Sequence, residues 1–522
     1  MNIKYFKNIL PAIVLAAGLL SFNSCTDDLN VTPIDPNLSA DFKQDEVFHK
    51  IYATMALTGQ KGADGNGDVS GIDEGTSGFY RLIWNLNELP TDEALCAWGD
   101  VGIADLNFAQ WSSSHNQVEG MYNRLYFDIT LCNHFLEKTE GLTDDNTIRQ
   151  RAEVRYMRAL NYYYLLDMFG NVPFALEVNM TPPSQIKRAD LFAFIEQELS
   201  EIEGNMFEPK QGPYGRADKA ANWLLRSRLL LNAEVYTGSP RWDDAATYAK
   251  KVIDSPYRLV DNYKYLFMAD NDAGSPNNAK DEIILPIAAH RTMTRSWTTS
   301  FFLIASSHSM DMDPFGMTDG WSGNRARRTL IEKFFENGVP GNANLRDLST
   351  LGDERALFFA QDRTLDIADV SKFEQGFSVS KFSNVPVDPN YPTDSKSPDT
   401  DIPFLRAAEA YLTFAEATLR ASGNAQEALE AVNKLRVRAN AEPMSSVDLD
   451  KILDEKAREF FFEGQRRTDL IRYGYFGGNS SYSFDWKGGV ATGTNILPMY
   501  NLYPIPMSDY IANGSLVQNP GY

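Results

Sequence analysis

Three stretches of the chain repeat apolar residues at spacings of three and four, the period of a helix with one buried face. From Thr147 to Phe169, Ala152, Tyr156, Ala159 and Tyr163 fall on one side, and Gly170 supplies a stop. Ala217 to Tyr236 carries the same pattern, ends at Gly238 and is followed by a second helical run, Trp242 to Ile253. Pro403 to Ala421 ends at Gly423, and Ala425 to Ala439 follows at once. In these last two pairs small residues (Ala408, Ala415, Ala417, Ala428, Ala431) stand where paired helices must approach closely.

Helix pairs of about 35 residues with such spacing resemble tetratricopeptide units. They are not tandem here, because long irregular insertions separate them, notably 257–402. Since about three repeats are needed to bury their faces, the pattern predicts a mostly α fold. Helix pairs form one scaffold, and the insertions add a loop-rich layer with few short strands. Binding residues concentrate on loops held by a rigid frame. Two insertions rich in Gly and Asp, Gly62–Gly78 and Met310–Asn324, therefore draw attention.

The N-terminus has another character. Lys4 and Lys7 precede an apolar run from Ile9 to Leu20, and small and polar residues lead to Cys25. The run is too short to span a bilayer, so residues 1–24 read as a signal peptide. Cys25 directly after it suggests a lipoprotein whose thiol carries the lipid. The same residues also fit an ordinary cleaved signal with a coincidental cysteine. Residues 25–40 read as a polar, proline-bearing tether, and 41–522 as a single domain.

Composition narrows the function. Apolar residues make up 43% and charged residues 23%, the balance of a globular chain. The formal charge of −21 opposes any phosphate backbone, which excludes nucleic acid as the expected partner. Of three cysteines, only Cys96 and Cys132 follow Cys25, too few for a disulfide framework or a four-thiolate zinc site. The five histidines are scattered, and no metalloprotease, nucleophile-elbow or phosphate-loop motif is present. With 70 acidic residues, carboxylate pairs carry no information about glycoside hydrolysis. Asp270 and Asp272 offer oxygen ligands that would suit calcium, without the spacing of an EF-hand; a turn that uses Asx side chains is the better account.

Aromatic residues reach 12%, enough to line a binding face as well as a core. Sugars present flat patches of C–H bonds that settle on aromatic rings, while polar side chains fix the hydroxyls. Trp84, Trp98, Trp111, Trp297 and Trp321 all lie outside the strongly periodic helices. Trp321 sits in the turn-like sequence Asp319-Gly320-Trp321-Ser322.

Several segments together resemble the SusD/RagB family of Bacteroidetes outer-membrane lipoproteins, along essentially the whole chain. They are RAEVRYMRALNYYYLLDMFGNVP (151–173), FLRAAEAYLTFAEA (404–417), AREFFFEGQRRTDLIRYG (457–474) and YPIP (503–506). NELPTDE (87–93), DGWS (319–322) and DWKGG (485–489) bring it nearest to the family's starch-binding founder. The resemblance implies a lipid-anchored protein on the outer face of the outer membrane, and Thr26-Asp27-Asp28 resembles the acidic export tag of such lipoproteins. It also implies glycan binding without cleavage, and a SusC-type TonB-dependent β-barrel transporter over which the protein sits as a lid.

By the same resemblance an α-glucan lies on an arc of aromatic residues with Arg and Asn hydrogen bonds. Arg81 and Trp321 match that arc, and Trp297 falls where its tyrosine stands. Cys96 falls where a tryptophan is expected and Val101 where the asparagine is expected, with Trp98 close enough to substitute. The implied glycan-binding residues are therefore Arg81, Trp98, Trp297 and Trp321, and the implied ligand is a starch-type or dextran-type oligosaccharide. The alternative is a mainly structural lid with weak glycan affinity of its own.

Overall fold

The computed structural model describes residues 42–60, 63, 67–310, 315–335, 338–340, 344–478 and 481–522. The expected signal peptide, Cys25 and the expected tether lie outside the described residues. The chain divides into two compact units, residues 1–47 and 48–522, and the insertion 257–402 falls within the larger one.

The larger unit is a helical scaffold. Asp145–Met168 matches the first periodic stretch, started by the Asp144 side chain accepting from the Thr147 amide at 2.9 Å. The second stretch is Lys219–Leu231 followed by the short helix Ala233–Thr237, and Gly238 closes it at φ 78°. Trp242–Ile253 has the expected bounds, and Ala407–Ser422 ends at Gly423 with φ 69°. A left-handed residue is needed at both stops, which is why glycine stands there.

Repeats far apart in sequence meet in space. Trp242–Ile253 packs on both Lys219–Leu231 and Ala407–Ser422, and Ala407–Ser422 packs on Ala425–Arg438. Their contact is made of Ala408, Leu412, Ala415, Ala428, Ala431, Val432 and Leu435, with Ile452 and Phe460 added from the helix Leu449–Phe460. Alanines at the interface keep the axes close, as their spacing predicts.

Two expectations are corrected. The helix expected from Pro403 begins only at Ala407. Ile402–Arg406 is instead a fully buried strand, antiparallel to Ile283–Ile287. Four consecutive apolar residues fill both faces of a buried ribbon, whereas a helix there would need a polar flank. The 23-residue helix Asn116–Lys138 was missed, although Val118, Met121, Tyr122, Leu125, Ile129, Cys132 and Phe135 are buried at helical spacing. Its face is interrupted by the buried polar residues Arg124, Asp128 and Asn133, which blur the pattern.

Strands among the described residues form four two-stranded ribbons and no larger sheet. Buried ion pairs tie this layer to the scaffold. Arg406 bonds Glu282 at 2.9 Å and Glu463 at 2.8 Å, Lys381 meets Glu463 at 2.7 Å, and Arg355 meets Glu455 at 2.8 Å and Glu459 at 3.0 Å. Burial alone would raise the Glu455 carboxyl, but Arg355, Arg458 and Arg436 overcome it and hold the pKa at about 2. Each charge in this set is buried with its partners, so removing one strands the others.

Candidate functional site

The site grows from one end of the helix Phe79–Glu88. Just before it, Asp73 to Ser77 winds through a short turn, and Arg81 reaches back to donate from Nη1 to the Gly75 carbonyl at 2.7 Å. Gly75 packs closely on its neighbour: a Cβ there would lie 3.2 Å from Trp297 Cε3. Gly78 is needed more strictly, since a Cβ would fall 2.2 Å from Thr298. The segment 297–298 therefore lies directly on the turn that holds Arg81.

Three rings surround the Arg81 guanidinium. Its carbon is 4.8 Å from the Phe302 ring centre, 5.6 Å from Trp98 and 5.9 Å from Trp321. Cation–π attraction in such a cage contributes on the order of 0.5–2 kcal/mol per favourable ring. Burial draws the Arg81 pKa down to about 10, opposed by Cys96, Asp73 and Asp100, so the side chain stays charged at neutral pH. Its Nε is buried without a hydrogen-bond partner.

Trp98 and Trp321 are locked to each other. The Trp98 indole donates to the Trp321 carbonyl at 2.8 Å, and the rings stand 6.2 Å apart at 59°. Phe301 supports Trp321 from behind at 5.1 Å. The turn that presents Trp321 is strained: Ser322 has φ 51°, and a Cβ on Gly323 would sit 2.3 Å from the Trp98 ring. The amides of Trp321 and Gly323 donate to Ala305 and Ser306 at the end of the helix Ser300–Ser306, at 2.7 and 2.8 Å.

The five tryptophans separate cleanly. Trp84 and Trp111 are core, Trp98 and Trp321 are half-buried, and Trp297 is 38% exposed. Cys96 stands where the resemblance places a tryptophan. Cys96 ends a buried strand, Ala94–Cys96, opposite Asn324, and its backbone is held by Asn107 at 2.8 and 3.0 Å. Burial pushes its thiol up to about 12. Trp98, just past that strand, carries the indole into the cluster. Val101 lies outside the cluster's ring contacts and is 78% exposed. Phe301 and Phe302 were not anticipated; their signal was an apolar pair four residues after Trp297, easily read as core.

Asp270 and Asp272, the pair that would suit calcium, differ in their surroundings. The Asp270 carboxylate accepts from Asn277 at 3.0 Å and from the amides of Val387 and Asp388 at 2.9 Å, so its oxygens organise two loops. Asp272 keeps one buried oxygen without a partner. Among the described residues no three His, Cys, Asp or Glu side chains converge as a metal site.

The sequence model of the SusD family matches residues 333–522. The "Starch-binding protein SusD" of Bacteroides thetaiotaomicron is 44% identical over 556 residues, covering 100% of both chains. The chain belongs to the SusD family. A "SusD-like protein" of Bacteroides ovatus is 24% identical, covering 88% of this chain and 82% of its own. Among solved structures, surface glycan-binding protein A from Bacteroides thetaiotaomicron, in complex with laminarihexaose, superposes with a TM-score of 0.67 at 18% identity. It covers 91% of this chain and 98% of its own. At that identity the likeness shows the SusD fold alone. No described helix is long and apolar enough to cross a membrane.

Proposed function

We propose that this SusD-family chain is a lipid-anchored protein on the outer face of the outer membrane, held through Cys25. It captures an α-glucan oligosaccharide at the face formed by Arg81, Trp98, Trp297 and Trp321 and hands it to a SusC-like TonB-dependent transporter. The observation that carries the reading is the Arg81 guanidinium, charged and ringed by Phe302, Trp98 and Trp321. Rings offer surfaces for the C–H faces of a sugar, and the guanidinium offers donors for its hydroxyls. The full-length likeness to a protein named for starch binding supports an α-glucan in particular. The rings that surround Arg81 suit holding a sugar, which is bound and not cut.

A starch-type helix and a dextran-type chain differ in curvature, so the linkage is decided by titration. Calorimetry of the chain from residue 26 onward with maltoheptaose, an isomalto-oligosaccharide of similar length and laminarihexaose should give heat with one of the two α-glucans. Heat with laminarihexaose alone would overturn the α-glucan assignment. Silence with all three would favour the mainly structural lid, which the exposed apolar Val101 at the position of an expected hydrogen-bonding side chain also favours.

A further inference from the structure

Away from the Arg81 face, a cleft of about 910 Å³ opens between the helix Leu449–Phe460 and the loop 440–446. It shares no lining residue with the cluster of Arg81, Trp98, Trp297 and Trp321. Its volume is in the upper part of the ~300–1,000 Å³ range of small-molecule sites. Tyr475 and Tyr482 form part of its wall as a parallel stack, 4.9 Å apart and inclined by only 12°. Both are fixed by their hydroxyls, Tyr475 to Asp450 at 2.8 Å and Tyr482 to Asp92 at 2.6 Å. Such rings present a preset apolar surface at little entropic cost. Tyr475 also lines an adjoining hollow of about 550 Å³, so the groove continues past it.

The cations of the cleft already have partners within the protein. Lys333 meets Asp454 at 2.6 Å, Arg436 and Arg458 meet Glu455 at 2.9 and 2.8 Å, and Lys451 donates to Ser446 at 2.8 Å. A phosphate or carboxylate would have to compete with these partners. A neutral, hydroxyl-rich ligand would not; it needs a ring to lie on and polar groups that accept and donate at the rim. Exposed Ser445 and Ser446 provide such a rim, on a loop turned by Asn440 at φ 52°.

We propose that this cleft is a second saccharide-binding groove, taking a neutral oligosaccharide of the class bound at the Arg81 face. The inference rests on the glycan-binding reading above. Two separated grooves on one chain would let it grip a long polysaccharide at two points, with avidity beyond either site alone.

Equilibrium dialysis with maltoheptaose and with an isomalto-oligosaccharide tests this on the soluble chain and on W321A, Y475A and S445W. Ser445 is exposed, so its tryptophan blocks the cleft without touching the core, and S445W serves should Y475A fail to fold. The expected result is more than one ligand bound per chain, with W321A and either cleft variant each removing one site. One ligand per chain, lost in W321A and unchanged in Y475A and S445W, would overturn the second groove and leave the Arg81 face intact. One ligand lost only in the cleft variants would keep the groove and overturn that face. No binding of either glucan to the unaltered chain would overturn both.

Discussion

The scaffold and the tryptophan face are built by opposite rules. Where Ala407–Ser422 meets Ala425–Arg438, alanines at helical spacing allow two regular helices to touch, and each local preference agrees with the fold. Around Arg81 the chain departs from regularity. Ser322 has positive φ, Gly78 and Gly323 stand where a Cβ would clash, and a guanidinium is held among rings with Nε unpartnered. Regular elements fix positions, and in the proposed function the departures present side chains to a ligand. Perturbing the first should change stability, and perturbing the second should change binding at nearly constant stability.

The largest effect is expected where the two regions are tied. Arg406→Ala removes the cation shared by Glu282, Glu459 and Glu463 and leaves Arg438, Arg355 and Lys381 to hold three buried carboxylates. It should cost about 3–5 kcal/mol in chemical denaturation. A loss under about 1 kcal/mol would mean the network is not what joins the loop layer to the scaffold.

At the face, Trp321→Ala should lower glycan affinity by roughly one to two orders of magnitude, taking ~1–3 kcal/mol per stacked ring by analogy with base stacking. Its melting temperature should move little, because Trp321 is half-buried. Equal losses in stability and affinity would contradict the division of labour.

Gly323→Ala is subtler, forcing a methyl against the Trp98 ring. An overpacked contact of this kind costs ~1–3 kcal/mol. Displaced Trp98 should reduce affinity several-fold, which fluorescence titration would reveal; unchanged affinity would remove Trp98 from the site.

The smallest effect concerns pH. Burial lowers the His308 pKa, its Nε2 has no partner, and its carbonyl accepts from Ser322 beside Trp321. A base with a depressed folded pKa favours the neutral form, so its contribution is complete above the ordinary value near 6.5 and is lost as pH falls below it. Melting curves at pH 7 and pH 5 should differ by about 1 kcal/mol or less from this group, and His308→Phe should narrow the gap. A gap unchanged in that variant would assign the pH effect elsewhere.

Much of the scaffold was legible because its physics is periodic. Gly238 and Gly423 ended helices where the stops were read, and the alanine interface formed as the spacing required. Pro403 misled because a buried two-residue-period ribbon and a buried helix look alike over a short apolar run. The site was legible by residue type but not by arrangement. Trp98, Trp321 and Arg81 could be named, yet only the fold reveals that Cys96 faces inward within a strand while Trp98 supplies the ring. Phe302, the ring nearest the guanidinium, carried no signal beyond being apolar.

The most direct test of the central claim is a crystal structure of the chain with the α-glucan that gives heat in calorimetry. The account predicts sugar rings lying along Trp98, Trp297 and Trp321, with a hydroxyl accepting from Arg81. Well-ordered sugar elsewhere, with these four side chains untouched, would contradict it.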